Sequence, residues 1–282
     1  MINPYKDTTG IVIITCNREE FFKKCYESID KECASKIYVV NGGKPYDSYP
    51  EGVTPIQAAR EFTPVGINKN TGIRRIFAEN PELQWVFVLE DDIIITDNNV
   101  WKVYIETAKD SGLIHGQLSY GLHGGIAGGN VNMDGTPKKR SIVKYSKYSV
   151  DFYRYSFAAF TLFHRSTLAI TGPNVFDVRY LNAGEHLDLT QMLHKKGAGC
   201  PFHWHPDISD SFEYIQDIAP NHENSASRNQ PDFLKNFSYS WQLFKEKFGT
   251  FPNLVSDVSQ LSVQGCLEQL ETLYSDKNFV LT

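Results

Sequence analysis

The chain has little that would tie it to a membrane, to a disulfide scaffold, or to nucleic acid by bulk charge. Its longest apolar runs, such as Ile11 to Ile14 and Trp85 to Leu89, fall far short of the ~20 residues that span a bilayer. The opening stretch MINPYKDTTG has no basic-then-apolar leader pattern. Cysteine is sparse: Cys16, Cys25, Cys33, Cys200 and Cys266 are odd in number and contain no Cys-x-x-Cys pair, so the expectation is reduced thiols in a cytoplasmic protein. Excess positive charge is also lacking. The 28 Lys and Arg are outnumbered by 33 Asp and Glu, giving a formal charge of −5, which disfavours a protein held on nucleic acid mainly by its net charge. Neither an internal repeat nor a low-complexity tract interrupts the sequence.

What is present is a globular composition. Across 282 residues, 41% are hydrophobic and 22% charged, which excludes collagen-like, coiled-coil and largely disordered chains and leaves enough apolar mass for a core without metals or disulfides. Fifteen Tyr and 18 Phe serve either core packing or a polar-aromatic cleft that stacks sugars or bases.

The first hundred residues alternate strand and helix patterns. Ile11-Val12-Ile13-Ile14-Thr15 is a β-branched run expected to be a buried parallel strand. Asn17 is predicted to cap the next helix, with Glu20 as its capping-box partner and Phe21, Phe22, Cys25 and Ile29 as the apolar stripe. Ile37 to Val40 is a second strand, ended by Asn41-Gly42-Gly43, and Asn70 to Ala78 a second helix. Pro81 marks a turn before a third strand, Trp85 to Leu89, which runs into Glu90-Asp91-Asp92. Such alternation predicts a parallel sheet covered on both faces. Further on, five glycines between Gly121 and Gly129, followed by Pro137-Lys138-Lys139-Arg140, suggest a mobile loop with a basic end. Phe157 to Arg165 returns to an apolar pattern. Helices are expected over Asp188 to Lys196 (stopped by Gly197), over Phe233 to Phe248 with Phe237, Trp241, Phe244 and Phe248 at spacings of three to four, and over Leu261 to Tyr274. No linker stands out, so the expected organisation is a catalytic domain over 1–230 with a helical extension over 231–282 packed on it.

Three features carry chemistry. Glu90-Asp91-Asp92 follows a buried strand, where ligands of open α/β sheets bind. Two like charges ~4 Å apart repel by roughly 4 kcal/mol at an effective dielectric of 20, so the triplet calls for a cation bridging to phosphates, unless it is a solvated turn. Glu185 and Asp188, three apart at a helix start, share a face; they either complement the helix dipole or aim a carboxylate at an acceptor hydroxyl. His203 and His205 alternate along an apparent strand, and His222 stands alone among polar residues; each is a structural histidine or a further metal ligand.

The order of these segments resembles the nucleotide-sugar-dependent glycosyltransferases of GT-A fold, close to the family-2-like group. Residues 11–18 resemble the opening strand and nucleotide-binding turn, and Asn68-Lys69-Asn70-Thr71-Gly72-Ile73-Arg74 is similar to the helix start near the nucleotide. Val88-Leu89-Glu90-Asp91-Asp92 sits where the family carries its DxD motif, and the stretch from Phe176-Asp177 to Gly184-Glu185-His186-Leu187-Asp188-Leu189 resembles the acceptor-side acidic motif. The resemblance spans roughly residues 10 to 250. It implies a Rossmann-like α/β fold: a mostly parallel sheet flanked by helices, with a helical C-terminal extension. It implies further that Thr15, Asn17 and Arg18 border the base and ribose, that Asn41, Asn70, Gly72 and Arg74 line the nucleotide side, and that Glu90 and Asp91 contact the donor. Asp92 would hold a divalent ion (Mn²⁺ or Mg²⁺) on the diphosphate, with His222 completing the metal site and His205 as runner-up.

Two departures matter. Asn41 stands where many relatives hold the base with Asp, and His186 stands where inverting relatives place their catalytic Asp. Glu185 or Asp188, with His186 as rival, would then line the acceptor site, unless the enzyme is retaining and needs no base. The partners implied are a nucleotide-sugar donor, most simply a UDP-sugar, and a hydroxyl on a glycan, a protein or a modified DNA base. The glycine-rich loop would close over them, with Lys138, Lys139 and Arg140 on the phosphates. Two other readings compete: a sugar nucleotidyltransferase, disfavoured because the turn after the first strand has no glycine, and a sugar-binding protein without transferase activity.

Overall fold

A computed structural model describes residues 3–250 except 59–61, 116, 140, 145, 154, 156–158, 182, 197, 199–204 and 220–224. The expected stop at Gly197, the alternation with His203, the stretch containing His222 and the helix over 261–274 therefore lie outside the described residues.

The first strand, β1 (Thr9–Thr15), is buried along its whole length, as a run apolar on both faces requires. It leads to α1 (Glu19–Ser28), β2 (Lys36–Asn41), β3 (Val53–Gln57), α2 (Val65–Glu79) and β4 (Trp85–Glu90). β3, β2, β1 and β4 are parallel neighbours. After β4 the chain forms β5 (Ile93–Ile95), α3 (Val100–Ser111), β6 (Leu118–Ser119), the one-turn α4 (Gly125–Gly128), β7 (Ser141–Lys144), β8 (Ser149–Tyr153) and β9 (Phe160–His164). β9 returns antiparallel to β4, and β6 pairs with β9, completing a six-stranded sheet in the order β3-β2-β1-β4-β9-β6. Last come α5 (Ser166–Thr171), α6 (Glu185–Lys195), β10 (His205–Ile208), β11 (Ile215–Asp217) and α7 (Phe233–Phe248). β10, β8 and β7 make a small antiparallel sheet, and β11 pairs with β5.

Alternate residues of β1 and β4 feed two cores. Ile11, Ile13, Phe87 and Leu89 pack with α1 and α3, while Val12, Ile14, Val86 and Val88 pack with α2 and α6. α2 lies close on the sheet because Gly72 faces it; a Cβ there would sit 2.3 Å from Val12 Cγ1. Successive crossovers from β1 run to opposite sides, first to β2 and later to β4. The crevice beyond the ends of β1 and β4 is thus the switch point where open α/β sheets bind ligands.

Local predictions differ from the structure in five places. Asn17 is not a helix cap: it adopts φ +55°, its Oδ1 accepts from the Lys44 backbone N–H at 2.8 Å, and Arg18 takes the cap position without a side-chain bond. Phe21 leaves the α1 stripe and lies under the Arg18 guanidinium, 5.3 Å away. α2 begins five residues before Asn70, and α6 three before Asp188. The glycine-rich stretch is packed rather than open. Gly121 N–H donates to Asp207 at 2.9 Å, Gly124 N–H donates to Asp217 at 2.7 Å, and Asn130 bonds the carbonyls of Gly121 and Tyr155.

Candidate active site

β4 ends in Glu90, and the turn that follows carries Asp91 and Asp92 just beyond the strand end. Each acid of the triplet has its own surroundings. Asp91 is fully buried, accepts from Thr15 Oγ1 at 2.6 Å and is clamped by Arg18. Burial pushes its carboxyl up to about 7, against the pull of Arg18. Arg18 also reaches Asp92 at 3.1 Å; burial works against its charge, but Asp91, Asp92 and Glu90 outweigh that and raise its pKa. Glu90 accepts from Lys69 Nζ at 2.6 Å. Burial would raise Glu90, yet Lys69 and His123 hold it below the usual carboxylate range.

His123 is the residue that sequence reasoning missed. The packed glycine stretch delivers it, with Gly124 (φ +80°) supplying a left-handed turn that suits glycine. Its Nδ1 pairs with Asp217 at 2.9 Å, and Asp217 is brought there by the pairing of β11 with β5. Glu90, Asp92 and His123 each offer a ligand atom, all within 4.8 Å of one another. Asp92 Oδ1 is buried without a hydrogen-bond partner, and a ring nitrogen of His123 lies within the same ligand group. Two carboxylates, one of them with an orphaned oxygen, and one imidazole fit a divalent ion of the Mn²⁺ or Mg²⁺ type. Burial would lower His123, but its pairing with Asp217 and the charges of Asp92 and Glu90 raise it to about 9.

These groups open into a cavity of about 480 Å³. Thr15, Arg18, Glu90 and Asp92 line one side; Glu185 and His186, in the first turn of α6, line another. The other predicted residues are placed elsewhere. Asn17 and Asn41 organise the turn after β2, where Asn41 bonds the Lys44 carbonyl, Tyr49 and the Gly43 N–H. Asn70 exchanges two hydrogen bonds with the Phe176 backbone, Gly72 packs on β1, and Arg74 is exposed on the outer face of α2. His205 is buried on β10 beside Thr190 and does not belong to the ligand group. Lys139 pairs with Asp151 and Asp210, and Lys147 with Glu106, so neither bears on the cavity wall.

The three acceptor-side residues divide clearly. Asp188 is committed to Lys247, which ties α7 to α6. His186 Nε2 lies 2.9 Å from Lys69 Nζ and Nδ1 3.2 Å from Gln117 Oε1. An ammonium only donates, so Nε2 must accept and Nδ1 must carry the proton. Burial, with Lys69 beside it, holds His186 well below its ordinary pKa, leaving a neutral imidazole whose lone pair is already used. Glu185 is buried, lines the cavity and is raised by that burial.

The sequence matches no protein-family model and no curated protein. Among solved structures, the chain is similar to GalNAc-T7 with UDP, GalNAc and Mn²⁺, with a TM-score of 0.55 and 12% identity over 96% of this chain and 55% of that one. It thus spans about half the length of that protein. It is also similar to the mannosyltransferase PcManGT from Pyrobaculum calidifontis in complex with GDP-Man and Mn²⁺, with a TM-score of 0.47 and 10% identity over 98% and 88% of the two chains. The likeness to GalNAc-T7 shows the fold: a GT-A-type, Rossmann-like α/β architecture. Among the described residues no helix is long and apolar enough to cross a membrane.

Proposed function

We propose that the protein is a divalent-metal-dependent glycosyltransferase that moves a sugar from a UDP-sugar to a hydroxyl acceptor. The observation that carries this reading is the Glu90–Asp92–His123 group, with its unpaired Asp92 oxygen, at the switch point of a GT-A sheet. UDP is favoured as the donor nucleotide because the structural neighbour GalNAc-T7 was solved with UDP and Mn²⁺. The bound ion would stabilise negative charge on the departing diphosphate.

The chain's own residues supply the rest. Glu185 accepts the proton of the acceptor hydroxyl as its oxygen bonds to the anomeric carbon. The bond from that carbon to the diphosphate breaks, and its electron pair leaves with the nucleotide. Attack opposite the leaving group inverts the anomeric centre. Lys69 holds Glu90 and His186 in fixed geometry between donor and acceptor sides. In the same proposal residues 1–230 are the catalytic domain and 231–282 its extension, and the free thiols of Cys16, Cys25 and Cys33 suit a cytoplasmic protein.

The test is thermal unfolding with nucleotides, each with and without Mn²⁺. A ligand at 100 times its Kd adds about 2.7 kcal/mol, or several degrees at roughly 2–4 °C per kcal/mol. The expected result is a shift with UDP that needs Mn²⁺ and vanishes in Asp92→Ala. No shift with UDP, or one indifferent to metal, overturns the reading.

A further inference from the structure

The third wall of the cavity has no part in the donor chemistry. It is one face of α7, where Phe233, Phe237 and Trp241 follow at i, i+4 and i+8 and all line the cavity. Their ring centroids are 6.1 and 5.3 Å apart, with neighbouring planes tilted by 39° and 41°. This is a ladder of aromatic rings spaced at about the rise of one helical turn, and Phe237 keeps 36% of its surface exposed. Ser240, on the same helix, is 1% exposed, lines the cavity, and its Oγ has no hydrogen-bond partner. Across the cavity Thr63 Oγ1 is in the same condition.

We propose that this wall is the acceptor subsite and that it takes a carbohydrate chain, with successive pyranose rings lying on Phe237 and Trp241 and ring hydroxyls bonding Ser240 and Thr63. The inference rests on the transferase reading of the cavity and names its second substrate class.

Three chemical arguments select a sugar. A pyranose presents an apolar C–H face that lies flat on an aromatic ring and an equatorial edge of hydroxyls that bonds neighbouring polar groups. The wall offers the rings and Ser240 on one helix, with Thr63 facing them across the cavity. A polyprenyl chain would satisfy the rings but leave two buried hydroxyls unpaired, which is unfavourable. A DNA acceptor would need cations along its backbone, and Lys139, of the basic stretch that follows the glycines, is paired with Asp151 and Asp210 away from the cavity. The wall also faces the same space as Glu185, so a hydroxyl held there is near the proposed base.

The test uses the full chain with UDP and Mn²⁺ on a glycan array of mixed linkages, with farnesyl phosphate and hydroxymethylcytosine-containing single-stranded DNA as competitors. Positive glycans are then titrated by tryptophan fluorescence. The expected result is retention on a glycan class, weakened about tenfold in Phe237→Ala, an effect of about 1.4 kcal/mol. Ser240→Ala, which removes only the orphaned hydroxyl, should weaken it less, while both variants keep the Mn²⁺-dependent UDP shift. If UDP and Mn²⁺ still shift the wild-type melting temperature but no glycan is retained, the subsite inference is overturned. Displacement by farnesyl phosphate or by the DNA overturns it in favour of those acceptors. Absence of the UDP shift is a different failure and falls on the transferase reading itself.

Discussion

The two substrate-facing walls of the cavity are built on opposite principles. The donor wall is a set of buried charges at strand ends: Glu90 and Asp92 leave β4, Arg18 follows β1, and His123 is braced by Asp217 on β11. Each group is set by the ends of the sheet or by a turn packed against them, and each is within reach of an opposite charge. The α7 wall is a single helix of aromatic faces, held to the rest by Lys247 between Asp177 and Asp188 and by a small cluster of Tyr180, Leu243 and Phe244. The lesson is that position at the donor wall is set by the fold's deepest interactions, whereas the α7 wall can shift or be exchanged at little cost to the sheet.

Breaking the donor wall should therefore produce the largest effect. Asp92→Ala removes the orphaned ligand oxygen without touching α7. Loss of several kcal/mol of charge stabilisation corresponds to a fall in kcat/KM on the order of 10³-fold, measured as UDP release with acceptor present, while glycan retention persists. Lys69→Met should come next, acting on stability. It strips a buried cation from Glu90 and His186 and leaves Glu90 to the charges of His123 and Arg18, at about 3 kcal/mol, seen as a drop of roughly 10 °C in Tm. An unchanged Tm would mean that Glu90 is solvated once Lys69 is gone. Asp217→Ala is smaller still. It frees His123 to rotate and change tautomer, and Mn²⁺ affinity measured by calorimetry should fall by about 10–100-fold with little loss of UDP affinity in the absence of metal.

The same contrast governs how much was legible in the sequence. The strands of the parallel sheet are written locally, in the β-branched run of β1 and the unbroken apolar run before Glu90, so a parallel α/β sheet with the acidic triplet at a strand end could be placed from pattern, while its GT-A form came from the family resemblance. His123 could not. Its role depends on β11 pairing with β5, segments about 120 residues apart, and on Asp207 holding the Gly121 backbone, 86 residues away. The glycines around it read as a hinge, although a histidine set directly before two glycines is also how a backbone turns sharply to present a ligand. Lys69 left a clearer trace: it falls in the same helical stripe as Gly66, Gly72, Ile73 and Ile76, all buried. A lone lysine on a buried face has to meet a carboxylate. The Asn17 cap failed for a local reason, because its side chain found the Lys44 N–H across the turn and its backbone went left-handed.

The α7 wall should give the smallest and most gradual effect, and acid is the way to probe it. Asp177 would be raised by burial, but bonds from Arg179 and Lys247 hold it well below the usual carboxylate range. A carboxyl depressed in the folded state contributes stability that is present above its unfolded value of about 3.9 and is lost as pH falls through its folded value. Asp188 runs the other way: burial raises it despite Lys247, so it takes up its proton first on acidification, and doing so favours the folded form. Lys247 thus keeps Asp177 as its charged partner when Asp188 has become neutral, and docking of α7 should hold until the pH drops below about 4. Hydrogen exchange of residues 233–248 between pH 5 and 3 should show protection falling only in the lower half of that range, ahead of β1 and β4. The pair is near the surface, so the change is about 1 kcal/mol or less. In Lys247→Met the acid step should disappear and α7 exchange faster already at pH 5; simultaneous loss of protection in α7 and β4 would mean that the two walls unfold as one unit.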